Sequence, residues 1–333
     1  MDIKKILCEL TSATGIGNIR EATDKAVNLF KPFCEISYTD NLGIMARIAG
    51  ESDYTLAVEA HIDQIGFIVT DIDDDGFLTV SSCGGIDLRM LPSRPVIIHS
   101  EKEVRGVFCS TPPHLSEKDA EYDKISDFKI DTALGGSAKD IIRLGDYVTF
   151  ASGIYDLAGD RICSKSLDDR AGVAVLIELA SRFADKKPPV NLVFCLSDME
   201  EIGLRGAKTS AFDISPDEAI AIDVSFADGP DIPETDCGKL SGGPMIGISP
   251  VLDRAISNKL IKIAKEKGIP YQLEVMGRST GTDADIISVT KSGVKTALVS
   301  IPLRNMHSDC EIISLSDVSS VCDLLENYIK AVK

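Results

Sequence analysis

Tryptophan is absent from this chain of 333 residues, and Phe, Trp and Tyr together make up only 5% of it. A stacking platform for unpaired bases or sugar rings is therefore poorly supplied. Positive charge is scarce too: 35 Lys and Arg stand against 52 Asp and Glu, a formal net charge of −17. Such a surface disfavours nonspecific binding to nucleic acid and to anionic membranes. No stretch approaches the roughly 20 consecutive apolar residues that span a bilayer. The opening stretch, MDIKKILCELTSATGIGNIR, lacks the apolar block of a signal peptide. No C-x-x-C pair occurs among the nine cysteines, and several sit in apolar runs such as VFCLS. They read as buried free thiols of a reducing compartment, so a cytoplasmic protein is expected, with no nucleic-acid and no membrane partner. Catalytic signatures are missing as well. There is no H-E-x-x-H helix and no G-x-S-x-G elbow, and GIGNIR breaks both the dinucleotide and the P-loop pattern.

What remains is an ordinary globular composition, 44% hydrophobic and 26% charged, long enough for about two domains. Two helical segments open the chain, around IKKILCELTSA and NIREATDKAVNLFKPF. TLAVEAHIDQIGFIVTDI reads as one buried strand running into a turn. From about 70 to 160 the texture becomes short β-like pieces (FLTVSS, PVIIHS, VRGVFCS, DYVTFAS) and a charged link, TPPHLSEKDAEYDKIS. After 165, strands alternate with helices. DDRAGVAVLIELASRFAD, DRAISNKLIKIAKEKGI, TDADIISVTKSG and SLSDVSSVCDLLENYIKAV are helical. VNLVFCLSD, EAIAIDVS, YQLEVM and KTALVSIPL are strands. The expected fold is α/β, a mixed and largely parallel sheet with helices on both faces, plus an inserted small β-barrel-like domain. Residues 1–69 and 161–333 form the main domain in this reading, and 70–160 the insert.

Ligands of such sheets bind beyond the carboxyl ends of the strands. Four apolar strands lead there into metal-capable residues: His61 and Asp63 in AHIDQIG, Glu200 and Glu201 in SDMEEIG, Asp223 in AIDVS, and His307 in RNMHSD. The helix start LDDRAG adds Asp168 and Asp169. Of the four histidines in the chain, two lie at these ends. One His with one carboxylate suits a single zinc, whereas two His and three carboxylates suit two divalent ions with a shared carboxylate. Each piece alone has a plainer explanation as a helix N-terminal acid or a solvated charge. Their convergence on one rim favours a metal site.

In order and kind, LDDRAG and EEIGLRGA, supported by AHIDQIGF, AIDVS, GTDA, MHS and the TPPHL of the insert, make the chain resemble the M42 family of dinuclear metallo-aminopeptidases. The resemblance runs over nearly the full length. It implies a zinc-exopeptidase-like fold and two divalent metal ions, Zn2+ or Co2+. His61 and Asp223 resemble ligands of one metal, and Glu201 and His307 ligands of the other. Asp168 resembles the bridging ligand, and Glu200 the catalytic base. Asp63 resembles the acid that orients a ligand or neighbour. Removal of N-terminal residues from short peptides is the implied activity, within a homo-oligomer: a dodecamer in which the insert makes subunit contacts, with a dimer as the smaller alternative. The other readings are a metal-dependent deacylase or dipeptidase on the same scaffold and an endoglucanase-type glycoside hydrolase. The latter needs two carboxylates flanking a sugar rather than a metal pair.

Three positions depart from the family pattern. Gln64 replaces a common acid, Asn305 a common tyrosine, and Asp285 a small residue. They bear on the shape and charge of the pocket. Arg170 and Arg205 are expected to ion-pair with the acidic elements they follow. Asp283 is expected as a helix N-terminal acid near the pocket, and Asp169 as support for its helix start.

Overall fold

The computed structural model describes residues 1–332 apart from 40–42, 110, 112–113 and 116–123. Most of the charged link expected at 111–126 thus lies outside the described residues. An eight-stranded sheet forms the centre. Its order runs Gln272–Val275, Met245–Ile248, Lys295–Leu303, Glu218–Phe226, Thr55–His61, Asn191–Ser197, Ile44–Ile48, Glu35–Tyr38. The four middle strands are mutually parallel. Antiparallel pairing appears only toward the two edges. The middle strands are buried along almost their whole length, which explains their continuous Val, Ile, Leu and Ala runs. Thr55–His61 lies at the centre of the topology. The chain returns to one side of it as Asn191–Ser197 and then to the other as Glu218–Phe226. The crevice that opens where two neighbours diverge in this way lies at the His61 end.

Helices cover both faces. Leu167–Phe183 and Leu315–Ala331 pack on one face together with Ile3–Thr11, Glu21–Phe30 and Arg254–Lys267, enclosing the main core around Phe30, Phe194 and Tyr328. Arg205–Ile214 and Asp283–Ser288 lie on the other face, packing Ala207, Ala211 and Ile287 against Ala57 and Ala219 of the sheet. The short helix Asp283–Ser288 starts at its Thr282 cap, as its sequence suggests.

The stretch TLAVEAHIDQIGFIVTDI is two strands, not one. Thr55–His61 stays in the central sheet, and Gly66–Ile72 enters a closed six-stranded barrel. Where the chain enters the barrel, Gly66 has no room for a Cβ. One there would come within 2.6 Å of both the Val148 carbonyl oxygen and the Ile16 side chain. The barrel also uses Leu78–Cys83, Pro95–His99, Glu103–Phe108, Ile130–Asp131 and Tyr147–Phe150. It has its own core, in which Phe67 meets Phe108 and Phe150 edge-on with ring centroids 5.0 and 5.5 Å apart. The barrel starts at Gly66, ahead of the boundary near 70 read from the sequence.

Two further expectations are corrected. All nine cysteines are free, but only Cys163, Cys195 and Cys322 are buried; Cys8 lies on the partly exposed side of the helix Ile3–Thr11, and the others sit at strand ends and turns. Arg170, expected to ion-pair, instead donates to the carbonyls of Leu10 (2.7 Å), Ala13 (2.6 Å) and Ile62 (3.4 Å) and to Gln64 Oε1 (2.8 Å). It is 0% exposed. Its guanidinium therefore gathers carbonyls from the end of the helix Ile3–Thr11 and from irregular residues that belong to no strand ladder. Gln64 also accepts from Lys165 at 3.3 Å. Burial, and then the charge of Arg170, push the Lys165 ammonium down to about 7. Arg205 makes no ion pair among the described residues; its Nε donates to the Ile202 carbonyl.

Replacing Arg170 with Ala would strip the Ile62 carbonyl of its donor, leave those of Leu10 and Ala13 with only Ala13 N (3.1 Å) and Lys165 Nζ (3.4 Å), and open a cavity. We expect a loss of about 3 kcal/mol or more, read as a lowered urea midpoint at unchanged slope. A change below 1 kcal/mol would contradict this role.

Candidate metal centre

His61 ends its strand, and its Nε2 lies 3.0 Å from Asp168 Oδ1. The other oxygen, Asp168 Oδ2, lies 3.4 Å from His307 Nε2, and His307 Nε2 lies 3.4 Å from Glu201 Oε2. One carboxylate thus turns each oxygen to a different imidazole. His61, Asp168 and Glu201 each offer a ligand atom within 4.8 Å of the others. Asp223 and Glu200 line the same cavity, whose volume is about 710 Å³. Asp223 stands inside its strand rather than at the end of it, with Phe226 three residues further on. The cavity consequently lies over the carboxyl-terminal third of that strand.

The backbone around these groups is forced. Asp168 and Asp169 are not helical, although they belong to the helical segment Leu167–Phe183. The peptide between them is cis. Ser166, Met199, Leu204, Asn305 and His307 all have positive φ, between 57° and 62°. Non-glycine residues of that kind collect where surrounding structure imposes them, often at functional sites. Asn305 tolerates the left-handed region better than tyrosine would, and its Nδ2 donates to the Cys310 carbonyl at 3.1 Å. That bond closes the turn that presents His307. Asp285 likewise accepts from Thr280 N (2.8 Å) and Gly281 N (3.0 Å), which ties down one wall of the cavity.

Two acids hold the array from behind. Asp63 accepts from the backbone N–H of Glu200 (3.1 Å) and of Glu201 (3.3 Å), and its Oδ1 is 3.5 Å from His61 Nδ1. Glu311, which sequence reading missed, accepts from Leu167 N (2.7 Å), Asp168 N (3.1 Å) and His307 N (3.0 Å). Glu311 is 1% exposed. Its signal was present as a lone acid inside the apolar run CEIIS, where only a buried network tolerates a carboxylate. Asp169 accepts from Gly172 N at 2.9 Å and supports its helix start. Asp283 opens its helix, accepts from the Ser197 hydroxyl, and shares that hydroxyl with Glu59. The barrel reaches the array too. A Cβ on Gly84 would meet Glu201 Oε2 at 3.1 Å, and one on Gly85 would meet His307 Nδ1 at 3.1 Å.

Electrostatically the array lacks positive charge. Burial and neighbouring carboxylates push Glu200 up to about 7 and Glu201 to about 8, and hold Asp223 well above the usual carboxylate range. Burial opposes protonation of the imidazoles, yet hydrogen bonds to Asp168 hold His61 well above its ordinary range and His307 at about 9. Those same bonds outweigh burial at Asp168 and depress it. His61 Nδ1 and one oxygen each of Asp169 and Asp283 are buried without a hydrogen-bond partner. Imidazole and carboxylate donors in this proportion suit zinc or cobalt. The crowded acids fit a pair of divalent cations.

At pH 7 the raised groups, His61, His307, Glu201 and Asp223, share protons that a cation must expel, since ligands bind deprotonated. Zinc loading is therefore expected to release about two to three protons, with affinity climbing as pH rises from 7 to 9. Calorimetry in buffers of different ionisation heat measures this. Loading without proton release would be incompatible with these residues as ligands.

The sequence profile of the M42 glutamyl aminopeptidases matches residues 43–324. The lysyl aminopeptidase of Pyrococcus furiosus is 33% identical over 318 residues, covering 93% of this chain and 91% of that one. Among solved structures, an aminopeptidase from the archaeon Desulfurococcus kamchatkensis superposes with a TM-score of 0.93 at 30% identity, over 99% and 95% of the two chains. The Pyrococcus horikoshii TET1 peptidase, described as assembling into a tetrahedron or a large octahedral shell, gives 0.88 at 29% identity, over 99% and 100%.

Proposed function

The chain belongs to the M42 peptidase family, and on that premise we propose that it is a two-metal aminopeptidase in which Glu200 carries the proton. Metal-dependent aminopeptidase activity follows from the family and its named relatives. The division of labour among residues is our reading. His61 and Asp223 would hold one ion, and Glu201 and His307 the other. Asp168 would serve both. When bound, such a pair acidifies a water and polarises a carbonyl.

One observation supports the assignment of the base. Glu200 and Glu201 are adjacent, yet their carboxylates do different things. Glu201 Oε2 faces His307. The Glu200 carboxylate makes no hydrogen bond among the described residues and lines the open cavity. A carboxylate that is held by its backbone and free at its oxygens is placed to take a proton and return it to a leaving amine. Asp63 is a positioning residue in this scheme, because it grips both glutamate N–H groups and faces the His61 ring. The acidic wall attracts the α-ammonium of a peptide, which favours cleavage at a free N-terminus. Homo-oligomerisation belongs to the same proposal and is supported by the assemblies described for the TET1 relative, a dodecamer among them; contacts through the barrel are our expectation. Short peptides are the expected substrates.

Glu200→Gln should retain two metals per chain while turnover of aminoacyl p-nitroanilides drops roughly 100- to 10,000-fold. A near wild-type rate would rule out Glu200 as the base. The metal-loaded protein should cleave free peptides and spare their N-acetylated forms. Cleavage of the acetylated forms would favour a deacylase instead. Light scattering gives the assembly size.

A further inference from the structure

Beyond the proposed ligands, the cavity contains one more acid whose surroundings are distinctive. Glu274 lies in the strand Gln272–Val275 and is half-buried. Ser300 Oγ donates to its Oε2 at 2.7 Å, and Ser225 Oγ donates to its Oε1. Both oxygens accept from hydroxyls, which is the arrangement of an ionised carboxylate held in one orientation. Among the described residues it has no ion-pair partner, and no Lys or Arg lines the cavity. A charge sheltered from water without a counter-ion is costly, so the fold keeps an unmet demand for a cation there.

Its position relative to the proposed metal centre follows from strand register. Asp223 pairs with Ser300 on the neighbouring parallel strand, and Ser225 lies two residues on, on the same face. Glu274 pairs with Gly247, in a strand whose Met245 pairs with Ser300. One strand spacing and two hydroxyl-length links place the Glu274 carboxylate within about 10 Å of the Asp223 Cα. Phe226, Leu273 and Met276 line the same cavity. A cavity that combines apolar side chains with a fixed anion complements a side chain with a methylene stem and a cationic tip.

We propose that Glu274, oriented by Ser225 and Ser300, selects peptides whose N-terminal residue is lysine or arginine. This deepens the aminopeptidase reading and rests on it. The methylene stem packs against Phe226 and Met276, and the ammonium or guanidinium meets the carboxylate. An acidic N-terminal residue meets like charge and is rejected.

The test compares lysyl, norleucyl and glutamyl p-nitroanilides on the zinc- or cobalt-loaded protein and its Glu274→Gln variant. Norleucine keeps the lysine stem and removes only its charge. Calorimetric titration of both proteins with free L-lysine and L-norleucine provides a readout independent of turnover. For the wild type, kcat/KM should favour lysyl over norleucyl by roughly 10- to 100-fold, the range of a charge-assisted hydrogen bond. In Glu274→Gln that ratio should collapse toward one, and L-lysine should lose its binding advantage over L-norleucine. Norleucyl turnover with no lysyl preference, or an unchanged ratio in the variant, would overturn the specificity and leave the aminopeptidase intact. No turnover of any substrate, with Glu274-dependent lysine binding retained, would overturn the aminopeptidase and leave the cation site intact. Loss of both would remove both.

Discussion

Negative charge crowded onto the carboxyl rim of a buried parallel sheet is the condition to which the rest of this protein is fitted. Asp168, Glu200, Glu201 and Asp223 share one cavity, with Asp63 and Glu311 directly behind them. Alone, such groups repel one another and resist burial. They stay in place because the backbone is strapped to them. Asp63 takes the two N–H groups of the glutamate pair, and Glu311 takes those of Leu167, Asp168 and His307. Each rear acid thereby fixes the front groups without occupying the cavity. The protons now shared among His61, His307 and the glutamates mark where positive charge is wanted.

The same economy operates at the opposite sign. Arg170 is buried against backbone carbonyls, and Gln64 gives it and Lys165 a neutral acceptor. Gln64 is next to Asp63 in sequence, so a further full charge there would adjoin an already acidic turn. The other two departures are structural in the same sense. Asn305 suits a left-handed turn beside His307, and Asp285 braces the Thr280–Thr282 wall. None of the three removes a proposed ligand.

The barrel is more than an appendage. Its Gly84 and Gly85 come so close to Glu201 and His307 that side chains there would press on both. The insert therefore forms part of the cavity wall while carrying a separate aromatic core. A composition of short, exposed strands suggests a peripheral module, and only the closed structure shows that one of its turns meets the centre.

What could be read from the sequence were periodicities and local chemistry. Continuous apolar runs marked the parallel strands, Thr282 marked its helix start, and acids or imidazoles after those runs marked the rim. Those signals are local, because burial on both faces and capping act within a few residues. Other features needed distant partners. The need for glycine at position 66 depends on the Val148 carbonyl, the role of Glu311 on the turns at Leu167 and His307, and the orientation of Glu274 on Ser225 and Ser300. Each joins residues far apart in the chain, and no pattern at the site itself encodes the partner. The sequence by itself determined which chemistry stands at the strand ends. The tertiary structure alone decided which oxygen faces which group, because that is set by packing between segments rather than within them.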